Sequence, residues 1–207
     1  MILSNIRTKK FRAIIFLDKS KEDEMKIIRR EIVYDGRYIF TEQIHFLDKK
    51  DKSRIWESVG RKTFGDVVAV FALTPRREVI LEKIFRIPVN GYVIELPAGL
   101  MDVENESPEQ AARRELKEET GYEAEGRVEL LLDGQFNAGL RQDSIKFFFA
   151  DRAEKVGEPT PEDTEDIEVI TVPIDKLVDF VLNPPPGCVS DVKILSILPI
   201  LQKRNLL

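Results

Sequence analysis

The chain has 207 residues, of which 43% are hydrophobic and 33% charged, with a formal net charge of −5. That length accommodates one sizeable domain with a smaller appendage, and the acidic balance argues against a polyanion groove for nucleic acid. A single cysteine, Cys188, and a single histidine, His45, exclude an internal disulfide, a thiolate cluster and a His-rich metal site.

Residues 1–29 read as a charged lead-in with one short strand at Phe11–Leu17. Its apolar run, Ala13–Leu17, is too short for a signal-peptide core or a membrane span. A cytoplasmic protein that does not enter membranes is expected, in a reducing setting. Lys19–Glu24, charged apart from Ser20, reads as a solvated loop or a short helix. From Arg30 onward β-forming residues alternate through Glu31–Gly36 and Tyr38–Phe46, split at Asp35-Gly36. A charged link, Asp48–Lys52, leads to a further strand, Arg54–Arg61. Residues 1–62 are therefore read as an N-terminal antiparallel β module, and 63–207 as a second, catalytic unit.

In that second unit, Val67–Leu73 and Val79–Phe85 read as strands joined in a hairpin by Pro75-Arg76-Arg77. Tyr92–Leu96 is a short strand. The spacing predicts a helix over Pro108–Thr120: Ser107 can cap it, Pro108 suits its first position, Gln110 completes a capping box and Gly121 stops it. Strands follow at Arg127–Leu132 and Ser144–Ala150. A loop rich in proline and acidic residues spans Gly157–Asp166, before a strand at Ile167–Val172. Ile174–Leu182 and Val192–Gln202 read as helices separated by Asn183-Pro-Pro-Pro-Gly187.

The chemistry lies in Leu96–Tyr122. Glu115, Glu118 and Glu119 stand at i, i+3 and i+4, so their carboxylates share one helix face. Like charges so placed repel unless a cation sits among them, and hard divalent cations favour such oxygen ligands. The same pattern on its own also reads as a solvated acidic face. Three features favour the metal: a strand and a glycine loop lead into the helix, Arg114 adjoins Glu115 and can orient a carboxylate, and Pro97-Ala98-Gly99 is a tight turn whose carbonyls can complete a coordination shell.

Glu106, Arg114, Glu115, Leu116, Glu118, Glu119, Gly121 and Tyr122 stand in the order and spacing of the second half of the Nudix box, G-x5-E-x7-R-E-U-x-E-E-x-G-U, with U a bulky apolar residue. The segment resembles that motif at each of these positions. Six residues rather than five separate Gly99 from Glu106. Asn105 stands where many relatives have glycine, and asparagine tolerates left-handed backbone. The resemblance implies an α+β fold, an α/β/α sandwich of mixed sheet and flanking helices, behind the N-terminal module. It implies Mg²⁺, with Mn²⁺ as a substitute, held by Glu115 and Glu119, with Glu118 and the Ala98 carbonyl beside them. It also implies hydrolysis of a diphosphate by metal-activated water, with no covalent intermediate.

Ile55–Arg61, Phe85–Tyr92 and Glu95–Leu100 are similar to the ADP-ribose pyrophosphatase branch of that family, and the likeness runs from about Glu31 to Leu198. It implies a homodimer built through the N-terminal sheet, converting ADP-ribose to AMP and ribose 5-phosphate. Trp56 and Tyr38, from different subunits, would sandwich the adenine. Glu57 would hydrogen-bond the base, and Arg61 and Arg86 would fork onto the diphosphate or the terminal ribose. Glu165, in the loop before the last strand, would take the proton from water; Glu162, Asp163 and Asp166 are its neighbours, and Glu118 is the other candidate. The plainer readings are Trp56 as a core or interface residue and the two arginines as surface charges. Another nucleotide sugar, such as GDP-mannose, or a catalytically silent nucleotide-binding Nudix module are the alternatives. In every case the ligand is a small nucleoside diphosphate derivative.

Overall fold

The computed structural model describes residues 24–62, 66–162 and 164–207. The expected strand at Phe11–Leu17 and the candidate Asp163 lie outside them. The first three strands, β1 (Lys26–Asp35), β2 (Ile39–Leu47) and β3 (Ser53–Arg61), form an antiparallel sheet in that order. Asp48 shapes its second turn by accepting hydrogen bonds from the N–H groups of Lys50 and Lys52 at 2.9 and 3.0 Å. Ile27, Ile32, Tyr34, Ile55 and Trp56 are all more than half exposed on this sheet.

The rest of the chain supplies β4 (Val67–Ala72), β5 (Glu78–Arg86), β6 (Gly91–Glu95), β7 (Ala98–Leu100), helix α1 (Pro108–Thr120), β8 (Tyr122–Ala124), β9 (Val128–Gln135), β10 (Ser144–Ala150), β11 (Ala153–Lys155) and β12 (Ile167–Pro173). A 3₁₀ turn, Ile174–Lys176, then leads to α2 (Leu177–Leu182), β13 (Cys188–Ser190), α3 (Lys193–Ser196) and α4 (Leu198–Lys203). Two four-stranded mixed sheets result, ordered β7-β4-β10-β9 and β12-β5-β6-β13.

Alternate residues of β4 serve two cores. Ala69 and Phe71 pack with Leu177, Ile194, Ile197 and Leu201 of the C-terminal helical segment. Val68, Val70 and Ala72 pack with Ala111, Ala112 and Leu116 of α1. This is the α/β/α sandwich, and it explains why Val67–Leu73 is an unbroken apolar run: both faces are covered.

The expected hairpin over residues 67–85 forms only its turn. Thr74 N–H donates to Glu78 O and Arg77 N–H to Thr74 O, both at 2.9 Å. One bridge, Leu73↔Val79, follows, and the strands then part. β4 pairs in parallel with β10, while β5 lies between β6 and β12. Each strand is apolar on both sides; a central place in its own sheet pairs both its edges, and the two cores cover its faces.

Helix α1 has the predicted bounds. Ser107 Oγ accepts from Gln110 N–H at 3.2 Å, and the Gln110 side chain accepts from Ser107 N–H at 2.8 Å. Gly121 ends the helix at φ 73°, and a Cβ there would stand 2.3 Å from Gly157 O. The two later helical stretches are each broken in the structure. The three-residue strands β7, β8, β11 and β13 are too short for periodicity to reveal.

Candidate active site

The site is built around α1. Arg114 gathers its acidic neighbours: Nε and Nη2 bind both oxygens of Glu106 at 2.9 and 3.0 Å, and Nη1 reaches Glu115 at 2.7 Å and Glu118 at 3.1 Å. Nη2 also donates to Leu100 O at 3.1 Å, which ties α1 to β7. The longer loop turns just before Glu106, where Asn105 takes a left-handed φ of 66° and Glu106 N–H donates to Val103 O at 3.2 Å. Glu106 thus keeps its place beside Arg114 despite the insertion.

Glu119 points inward and accepts from Ala98 N–H at 2.9 Å. Gly99, next to it on β7, lies so close to α1 that a Cβ there would meet the Glu115 carboxyl atoms at 2.0 to 2.2 Å. Burial pushes the Glu115 carboxyl up to about 7, against the pull of Arg114. Behind Glu119 stands Glu82 of β5, only 1% exposed. Burial holds both carboxyls well above the usual carboxylate range; Glu82 adds to the rise at Glu119, whereas Glu119 eases that at Glu82. Among the described residues no three Asp, Glu, His or Cys side chains are already gathered at metal-ligand spacing. Arg114 Nη1 draws Glu115 and Glu118 together, while the Ala98 N–H holds Glu119 toward β7.

These groups face a cleft of about 560 Å³. Arg61 and Arg86 line it opposite the acidic helix, as do Phe136 and Glu165. Arg86 is clamped by both oxygens of Glu95, Nε at 3.0 Å and Nη2 at 2.7 Å. Arg61 lies 3.5 Å from Asp143, which Arg141 also binds. Burial and the nearby positive charge of Arg141 lower the Arg61 guanidinium, with Arg86 adding to the repulsion. Arg61 is therefore a crowded cation, whereas Glu95 keeps Arg86 firmly charged, and a bound anion would relieve the crowding at Arg61.

The acidic loop closes one end of the cleft. Thr160 N–H donates to Glu118 O at 2.6 Å, and Glu165 accepts from Glu162 N–H at 3.0 Å. Asp166 instead holds the Tyr92 hydroxyl at 2.7 Å.

Trp56, Tyr38 and Glu57 lie apart from the cleft within one chain. Trp56 is 54% exposed and donates its indole N–H to Gly139 O at 2.8 Å. Tyr38 is 67% exposed, with Arg37 stacked 5.0 Å from its ring centre. Glu57 accepts from Gln43 at 3.4 Å. Sequence reasoning missed Glu82, Glu95 and Phe136. Glu82 left one signal, an acid directly after the apolar run Val79–Leu81 on a strand whose alternate residues Ile80 and Ile84 are apolar.

With an α/β/α sandwich, a carboxylate-bearing helix held by an arginine and a cleft lined by further arginines in place, the comparisons define the class: the chain belongs to the Nudix family. Residues 63–194 match the Nudix domain. The chain is 34% identical to the mouse (Mus musculus) ADP-sugar pyrophosphatase, over 73% of this chain and 75% of that protein. It is 29% identical to the Bacillus subtilis ADP-ribose pyrophosphatase, over 78% and 85% of the two chains. The fold resembles the crystal structure of an ADP compounds hydrolase, with a TM-score of 0.73 over 87% of this chain and 94% of that one, at 19% identity. No helix among the described residues is long and apolar enough to cross a membrane.

Proposed function

We propose that this Nudix hydrolase cleaves ADP-ribose to AMP and ribose 5-phosphate as a homodimer, using Mg²⁺, with Mn²⁺ able to replace it. The observation that carries the reading is the cleft itself, in which Glu115, Glu118 and Glu119 face Arg61 and Arg86.

The residues suit a hard divalent cation. The donors are all oxygens, Gly99 removes the one Cβ that would block the Glu115 carboxyl, and Glu82 Oε1 is buried with no hydrogen-bond partner beside Glu119. Glu115, Glu118, Glu119 and the Ala98 carbonyl would hold the ion. When bound, it would neutralise diphosphate charge and acidify the attacking water.

The chain's own groups do the rest. Arg86, fixed by Glu95, and Arg61 hold the diphosphate. Glu165, or Glu118 from the opposite wall, accepts the water proton. The water oxygen joins one phosphorus, the P–O–P bond breaks, and the other phosphate leaves with the bridging oxygen.

Adenine recognition falls to Trp56, Tyr38 and Glu57. Trp56 lies across from Ile44 of β2, six positions from Tyr38, which just precedes that strand, a span of ~20 Å. The two rings of one chain cannot sandwich one base, so one ring from each subunit is required. The exposed apolar side chains of β1 and β3 supply a surface for that dimer, with residues 1–62 as the dimerising unit. The test is a Mg²⁺-dependent hydrolysis panel of ADP-ribose, GDP-mannose, NADH, diadenosine polyphosphates and dNTPs. ADP-ribose is expected to be hydrolysed most efficiently; preference for GDP-mannose would move the reading to another nucleotide sugar, and no turnover of any would sink it.

A further inference from the structure

Glu82 stands where an aliphatic residue would be expected. It lies mid-strand in β5, the second strand of its sheet, with Ile80 and Ile84 flanking it on the same face and Ile80 packing with α1. All three are essentially buried. A carboxyl in such a place is costly unless polar partners compensate it. Its compensation is incomplete. Its acidic neighbour on the α1 side is the Glu119 carboxyl, and Oε1 has no hydrogen-bond partner. Its register partner on β6 is Glu95, another acid. The nearest arginine, Arg86, is already clamped to both oxygens of Glu95. The protein side chains therefore bring acids toward Glu82 and leave one oxygen unanswered.

We propose that Glu82 is a positioning residue of the divalent-cation centre, bracing Glu119 from the sheet side while the Ala98 N–H holds it from β7. This rests on the reading above that Glu119 is a metal ligand. Two carboxyls from separate elements, one on α1 and one on β5, then act as a unit. The packing of the sheet fixes Glu82, and Glu82 limits how far Glu119 can swing. Groups that orient a metal ligand from behind commonly change affinity by 10- to 100-fold when they are altered. A purely structural acid would instead be replaceable by a hydrocarbon of similar size with no effect on metal binding.

The experiment compares wild type, Glu82→Gln, Glu82→Leu and Glu119→Gln. Mn²⁺ binding is measured by electron paramagnetic resonance, and thermal unfolding is measured in chelator. Both Glu82 variants are expected to bind Mn²⁺ about 10- to 100-fold more weakly, with Glu82→Leu unfolding in chelator at or above the wild-type temperature. Unchanged Mn²⁺ affinity in Glu82→Gln would overturn the proposal, whatever its stability. Should Glu82→Leu not fold, Glu82→Gln alone decides. If Glu119→Gln loses Mn²⁺ while Glu82→Gln keeps it, the metal centre stands and the role of Glu82 falls. If wild type binds no Mn²⁺, the metal centre itself falls.

Discussion

Arg114 and Glu106 meet in a two-point ion pair, Nε to Oε1 at 2.9 Å and Nη2 to Oε2 at 3.0 Å, across a loop one residue longer than the family pattern. Because the guanidinium fork fits both carboxylate oxygens, Glu106 is fixed against α1 at the end of the longer loop. The same guanidinium then has Nη1 free for Glu115 and Glu118, so loop and helix are joined through one side chain.

Replacing Arg114 with lysine should therefore do more than an ordinary charge-conserving change. An ammonium cannot serve Glu106, Glu115, Glu118 and Leu100 O together. A stability loss on the order of 1–3 kcal/mol is expected in urea denaturation, with a fall in kcat. Unchanged values for both would show that the fork is dispensable.

Gly99→Ala should separate folding from chemistry. The new methyl would meet the Glu115 carboxyl, the movable end of a side chain, rather than backbone. The variant is expected to stay folded by circular dichroism while metal binding and turnover weaken. Full activity would mean that the position of Glu115 against β7 is unimportant.

Trp56→Ala should raise KM more than it lowers kcat, since stacking is made equally in the ground and transition states. Roughly a tenfold rise is expected from the loss of one stacked ring, and Trp56→Phe should recover part of it. A pure kcat effect in steady-state kinetics would argue against stacking.

Asp143 makes a pH prediction. Burial alone would raise its carboxyl, but hydrogen bonds and charge from Arg141, with Arg61 adding to them, hold it below the usual range. A depressed folded value stabilises above the unfolded value of ~3.9, and the contribution is lost as pH falls through the folded one. Asp143→Asn should be less stable than wild type by about 1–3 kcal/mol at pH 7, and the gap should close in acid. A gap that persists at low pH would assign it to packing.

How much of this could be read along the chain depended on how far apart the interacting residues lie. Ser107, Gln110 and Gly121 determined both ends of α1, because caps act within a turn of the backbone. Glu115, Glu118 and Glu119 determined their own shared face, because helical spacing fixes it. Strand positions from β2 to β12 were readable from runs and alternation, apart from the three-residue strands, but β1 starts at Lys26, inside the expected charged lead-in. Tertiary structure alone decided the partners. It sent β4 and β5 into different sheets, since each needs both edges paired and both faces covered, and only residues distant in sequence supply these. It brought Arg61 and Arg86 from two sheets to one cleft, and it placed Glu82 behind Glu119, 37 residues away in sequence. The acidic helix announced itself locally; the buried acid beneath it became meaningful only when the sheet carried it there.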